Sequence, residues 1–171
     1  MNHNNLDIQP LLDQLEMSLK EAISARGMVN PLMIGIHTGG GWIAEILHSR
    51  LGLEEPLGLL NISFYRDDFS QIGMHPQVTP SSLPVSVEGR DVLLIDDVLF
   101  TGRTIRAALN EIFDYGRPNQ VALGVLLDRG ERQLPFQPDA VGGQIKLSPG
   151  EQIKLSGPEP LELCINLQES R

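Results

Sequence analysis

The 171-residue sequence predicts an α/β protein whose central, mostly parallel, twisted sheet is flanked by helices on both faces. Between Leu32 and Leu127, apolar runs of strand length alternate with stretches of helical period. Loops carrying glycines, acids and hydroxyls follow those runs directly, at Thr38–Gly41, at Asp96–Thr104 and from Asp128 onward. Parallel sheets bind ligands just beyond the carboxyl ends of their strands, where these loops fall.

Taken in order, Leu11, Leu12, Leu15, Leu19, Ala22 and Ile23 recur at helical spacing, which predicts an amphipathic helix over Ile8–Ala25 ended by Gly27 and Asn30-Pro31. Leu32–Ile36 reads as a buried strand, Gly39-Gly40-Gly41 as a loop, and Ile43–Leu51 as a helix stopped by Gly52. Leu57–Tyr65 is the second expected strand. Arg66–Pro84, with Pro76, Pro80 and Pro84, is long and turn-rich, the character of a lid. Asp91–Ile95 is a third strand, Thr101-Gly102 opens a helix to about Tyr115, and Gln120–Leu127 is a fourth strand. Past Asp128 the chain reads as Pro- and Gly-rich and irregular, with short strands at Gln152–Leu155 and Leu161–Ile165. The expected organisation is one domain over residues 1–171, with a core at about 28–128, a lid at about 66–84 and a small irregular hood at about 128–155.

The formal net charge of −9 opposes non-specific binding to nucleic acid, which needs clustered Lys and Arg. No apolar run approaches the roughly 20 residues of a membrane span. The polar start Met1-Asn2-His3-Asn4-Asn5 leads into no apolar signal segment. Cys164 is the single cysteine, which excludes an intrachain disulfide and a thiolate-rich metal site. A cytoplasmic location is expected. No His/Cys/Asp grouping has zinc spacing, and no Ser-His-Asp set is identifiable.

The most informative run is Val92-Leu93-Leu94-Ile95-Asp96-Asp97-Val98-Leu99-Phe100-Thr101-Gly102-Arg103-Thr104. A buried strand carries two carboxylates to its exposed end, and a loop turns into a helix start bearing Thr, Gly and Thr. Unpaired helix amides and hydroxyls form an anion cradle suited to phosphate. The carboxylates suit hydroxyl donors or a hydrated Mg2+ about one sugar away. Either half alone reads more readily as a strand-end acid pair or an N-cap; the two together, at this spacing, are much more specific.

This run resembles the phosphoribosyl pyrophosphate (PRPP) motif of the type I phosphoribosyltransferases. The resemblance implies that Asp96 and Asp97 hold the ribose hydroxyls. It implies that the loop Val98, Leu99, Phe100, Thr101, Gly102, Arg103 and Thr104 takes the 5′-phosphate, and that Thr38, Gly39 and Gly40 form the pyrophosphate loop. It brings with it that family's fold and Mg2+ bound with PRPP through pyrophosphate and ribose oxygens. Ser63–Ser70, Thr101–Ala108, Tyr115-Gly116-Arg117-Pro118 and Leu127-Asp128-Arg129-Gly130 are similar to the branch that regulates pyrimidine operons and makes UMP from uracil. Phe100 stands where purine enzymes of this fold carry an Asp, which favours a pyrimidine base. The resemblance also implies a catalytic role for Arg66 on the pyrophosphate, base contacts from Phe100, Ala140 and Val141 in the segment Pro138–Gly142, and Asp128 and Arg129 lining the site. Gly39 replaces a charged residue of that branch, and Ala140 a bulkier one.

The same branch includes regulators that bind an mRNA stem-loop through a basic face. Here the corresponding positions are Asp13, Gln14 and Met17 on the first helix, Glu131 before Arg132, and a Leu147–Glu151 stretch without Lys. RNA binding is therefore expected to be weak. Two readings stay open: a uracil phosphoribosyltransferase, or a sensor of PRPP and UMP with little catalysis. A homo-oligomer is expected by resemblance.

Overall fold

A computed structural model describes residues 4–62 and 81–168. Their elements are β1 (Asn4–Leu6), α1 (Ile8–Ala25), β2 (Leu32–Ile36), α2 (Gly39–Leu51), β3 (Gly58–Leu60), β4 (Asp91–Leu99), α3 (Arg103–Tyr115), β5 (Gln120–Asp128), β6 (Ala140–Gln144), β7 (Glu151–Ser156) and β8 (Glu162–Leu167). Five strands form a parallel sheet in the order β3-β2-β4-β5-β6, and β1, β8 and β7 form a small antiparallel sheet.

Strand period two explains how one sheet serves two cores. Met33, Leu93, Ile95, Ala122 and Leu126 pack with α1, α2 and Leu163 of β8. Their neighbours Leu32, Ile34, Val92, Leu94, Leu123 and Val125 pack with α3 on the other face. Leu12, Leu15 and Leu19 supply the buried stripe of α1, as their spacing predicts. Asp7 caps this helix by accepting from the Gln9 N–H at 3.1 Å. No described helix is long and apolar enough to cross a membrane.

Several boundaries differ from expectation. The second expected strand is described only as Gly58–Leu60, and most of the expected lid, with Arg66, falls on residues 63–80, outside the described residues. Helix α2 begins four residues before the expected Ile43, because the three glycines are its first turn. The largest difference is β6. Ala140–Gln144 joins β5 as the fifth parallel strand, with Gly124 opposite Ala140 and Asp128 opposite Gln144. Its glycines read as irregular chain, yet packing selects them: a Cβ at Gly142 would stand 2.5 Å from the Leu126 carbonyl and 2.6 Å from the Leu11 carbonyl. Helix α1 lies on β6 at a distance that only glycine permits.

At the opposite end of β4, Asp91 joins three segments. Its Oδ2 accepts from the Val29 N–H at 2.9 Å and its Oδ1 from Asn119 Nδ2 at 2.7 Å. Burial pushes its pKa up, but the bonds from Val29, Asn119 and Gln120 and the charge of Arg90 outweigh burial and leave it below the ordinary carboxylate value.

Both packing facts have measurable consequences. Gly142→Ala should destabilise the fold by about 1–3 kcal/mol through overpacking against backbone, lowering Tm by roughly 5–10 °C in calorimetry. Because Asp91 has a lowered folded pKa, its contribution is complete above about pH 4 and is lost as pH falls through the folded value. Urea midpoints between about pH 7 and about pH 3 should therefore fall less steeply in Asp91→Asn than in the parent chain.

Candidate active site

The carboxyl ends of β2, β4, β5 and β6 bring the informative loops together. Strand β4 runs on through Leu99, so the acids stand within its last residues rather than beyond it. Asp96 is 5% exposed, and its Oδ1 accepts from the Asp97 N–H at 2.9 Å. Asp97 Oδ1 accepts from the Val98 N–H at 2.8 Å. Of the predicted loop residues, Leu99 is buried in the α3-side core and Val98 packs against the opposite one. The flanking acids and the backbone and hydroxyls of Phe100–Thr104 are the polar groups of this run left free of the two cores.

Across from the acids, the start of α2 presses on the end of β4. A Cβ at Gly40 would stand 2.7 Å from the Ile95 carbonyl and 3.0 Å from Asp96 Cα, and one at Gly39 would collide with Asp97 Oδ2. The amides of Thr38, Gly39 and Gly40 therefore begin a helix beside the two carboxylates; a helix start favours an anion, and a cation bound with that anion would offset the repulsion of the acids. The His37–Thr38 peptide is cis, and the His37 N–H donates to the Leu60 carbonyl at 2.8 Å. Leu155 of β7 touches this turn from the small sheet.

The phosphate loop is held from behind by the segment after β5. Gly102 takes φ 93°, the left-handed region that glycine enters without strain, and α3 starts at the next residue. Thr101 Oγ1 accepts from the Arg103 N–H at 3.2 Å, and the Thr101 carbonyl accepts from the N–H groups of Gln133 and Leu134, each at 2.9 Å. Arg103 Nε donates to Gln133 Oε1 at 2.8 Å. Arg132 holds the remainder: it donates to both carboxylate oxygens of Asp128 (2.8 and 2.7 Å), to the Phe100 carbonyl (3.0 Å) and to the Phe136 carbonyl (2.8 Å). The bond from Arg132, which outweighs burial, and a further one from the Gly130 N–H keep the Asp128 pKa below its ordinary value. Sequence reasoning missed Arg132 as a support of the phosphate loop; its spacing from Asp128 was visible, its carbonyl partners were not.

The expected base contacts divide. Phe100 is 38% exposed at the site, with the Arg129 guanidinium 3.6 Å over its ring centroid. Ala140 and Val141 lie in the sheet, level with Gly124 and Val125; the Ala140 side chain is 1% exposed and Val141 packs into the α3-side core. They are set back from the strand ends because the segment read as hood is a sheet strand. Among the described residues, the surfaces at the strand ends come instead from Phe100, Arg129 and the Leu147–Gln152 segment, which bound a cavity of about 420 Å³. No group of three or more His, Cys, Asp or Glu among the described residues is arranged to hold a metal ion. Asp96 and Asp97 are a carboxylate pair suited to a cation that arrives with an anionic substrate.

The family of the phosphoribosyl transferase domain matches residues 4–152. Proteins named "Bifunctional protein PyrR" are similar over nearly the whole chain. That of Nitrosococcus oceani is 54% identical over 163 residues, 94% of this chain and 92% of its own. That of Pseudomonas syringae pv. tomato is 56% identical over 153 residues, 90% of each. In three dimensions the chain is similar to a hypoxanthine phosphoribosyltransferase of Staphylococcus aureus, with a TM-score of 0.64 and 23% identity over 86% of this chain and 78% of that one. It is also similar to a hypoxanthine-guanine phosphoribosyltransferase of Bacillus anthracis, with a TM-score of 0.65 and 15% identity over 85% of each. The parallel sheet, the acid pair at the end of β4 and the phosphate loop before α3 are those of a type I phosphoribosyltransferase, and this chain belongs to that family, among its PyrR proteins.

Proposed function

We propose that this protein is a uracil phosphoribosyltransferase of the PyrR kind, which forms UMP and pyrophosphate from uracil and PRPP and takes part in regulating pyrimidine biosynthesis. The observation that carries the reading is the convergence of Asp96-Asp97, the first turn of α2 and the Phe100–Thr104 loop at one sheet edge. Those groups match the three parts of PRPP: ribose hydroxyls, pyrophosphate and 5′-phosphate. Mg2+ bound with PRPP would neutralise the pyrophosphate beside Asp96 and Asp97. In the reaction the bond from C1′ to the pyrophosphate oxygen breaks, the bond from C1′ to uracil N1 forms, and the N1 proton passes to the departing pyrophosphate. The chain's own work is orientation and the placing of charge around a sugar that becomes cationic. Arg66 is assigned to the pyrophosphate on the resemblance alone. A cytoplasmic, homo-oligomeric protein of one domain suits this role.

A second reading has its own support. Gly39 offers no side chain to pyrophosphate, and Asp97 occupies the space where one would begin. A site so arranged is consistent with a PRPP and UMP sensor of low turnover. Attenuator-type RNA binding finds little support on α1. Its Lys20 pairs with Glu16 at 3.3 Å, and its acids Asp13 and Glu16 face Arg50 of α2 at 2.8 and 3.4 Å, so the positive charges on this face are already matched.

Incubation with Mg2+, PRPP and uracil, hypoxanthine or guanine decides the first question. UMP should form from uracil alone, and Asp96→Asn/Asp97→Asn should lower kcat/KM by about 10²–10³-fold. Binding of PRPP or UMP without product from any base would establish the sensor reading instead. In a gel shift, affinity for an attenuator stem-loop should be weaker than micromolar at low salt and show a shallow salt dependence; tight, sequence-specific binding would refute this.

A further inference from the structure

Arg129 is the first residue after β5, and its N–H donates to the Leu99 carbonyl at 3.0 Å, which fixes it beside the phosphate loop. Its guanidinium lies over Phe100, 3.6 Å from the ring centroid. A guanidinium has five N–H donors. Among the described residues, those of Arg129 meet one acceptor, Glu131 Oε2, at a long 3.5 Å from Nη2, and Nε is buried with no partner. Arg132 is the contrast: its donors are spent on Asp128 and on the Phe100 and Phe136 carbonyls. The Arg129 side chain is 22% exposed, but its buried Nε, left without an acceptor, is costly unless a ligand completes the guanidinium.

Arg129 also borders two cavities at the strand ends. One, of about 420 Å³, is bounded by Phe100, Glu131, Glu151 and Gln152; the other, of about 360 Å³, is bounded by Asp128, Gly130 and Lys146. Two carboxylates in the wall of the first disfavour an anionic ligand such as a phosphate. They tolerate a neutral ring whose edge carries carbonyl oxygens. Phe100 stands on the loop assigned above to the 5′-phosphate and also lines this cavity, so the cavity adjoins the proposed sugar-phosphate site.

We infer that Arg129 is the base-reading residue of this site, donating from its guanidinium to a carbonyl oxygen of uracil while Phe100 holds the guanidinium in place. The inference rests on the uracil reading above. A hydrogen bond from a cation to a carbonyl is stronger when the ring carries negative charge. As N1 gives up its proton, that charge spreads to O2 and O4, so the same contact that selects the base also favours the nucleophile.

The test compares uracil with 2-thiouracil and 4-thiouracil in the parent chain, in Arg129→Met and in Arg129→Lys, because a thiocarbonyl is a weak acceptor. In the parent chain one of the two thio substitutions should lower kcat/KM by about tenfold. In Arg129→Met the uracil KM should rise about tenfold, the PRPP KM should stay within about twofold, and the thio discrimination should fall to about unity. Arg129→Lys keeps a charged donor and should restore part of the uracil KM together with part of the thio discrimination; if the Met variant does not fold, Arg129→Ala is read for the same loss of discrimination. Thio discrimination that persists unchanged once the donor is removed, or a PRPP KM that rises in step with the uracil KM, would overturn the inference and leave Arg129 as a support of the Phe100–Thr104 loop. UMP formation by Arg129→Met at the parent rate overturns this inference alone, whereas no UMP from the parent chain overturns the uracil reading with it.

Discussion

The site depends on one close contact, that of Gly40 with the backbone of Ile95 and Asp96. It brings the start of α2 against the end of β4, so helix amides and carboxylates share one edge. Any side chain at Gly40 would push the helix away, and the anion-binding turn would leave the acids. Gly35 makes the same approach one layer deeper, since a Cβ there would stand 2.8 Å from Ala44 Cβ. The apolar period of β4 then fixes the height of the contact. Leu93 and Ile95 face α1 and α2, Val92 and Leu94 face α3, and the acids come next along the strand.

The Phe100–Thr104 loop shows a different kind of order. It has little core of its own, and its carbonyls are held by the chain that leaves β5. The Asp128–Arg132 pair is mostly buried, and its geometry is bidentate. Buried pairs of this sort contribute less to net stability than to a single arrangement of the groups around them. Here they set the Phe100 and Phe136 carbonyls at fixed distances, which keeps the loop in shape without filling it.

Much of this was legible in the sequence. Apolar runs at Leu32–Ile36, Asp91–Ile95 and Gln120–Leu127 are buried strands, and the stripe of α1 is the predicted one. The acid pair and the Thr-Gly-Arg-Thr turn stand where the motif puts them. Glycine misled the reading twice. Gly39–Gly41 is a helical turn and Gly142–Gly143 is strand, because in both places close neighbours leave no room for a side chain. Local propensity registers glycine as a breaker; close packing is a long-range fact that propensity does not contain. The same limit explains why the carbonyl partners of Arg132 were not foreseen.

The small sheet joins residues far apart in sequence: Asn4 lies opposite Ile165, and Leu6 opposite Leu163. Its third strand, β7, sets Leu155 against the turn at Gly39. The wall of the pyrophosphate turn is therefore contributed by chain that follows every strand of the parallel sheet. In folding, the large sheet can pair before the small one closes, with the first strand unpartnered and the turn uncovered on that side. Contacts of such long sequence separation close last, so the acids and the phosphate loop would be assembled before the pocket that shields them.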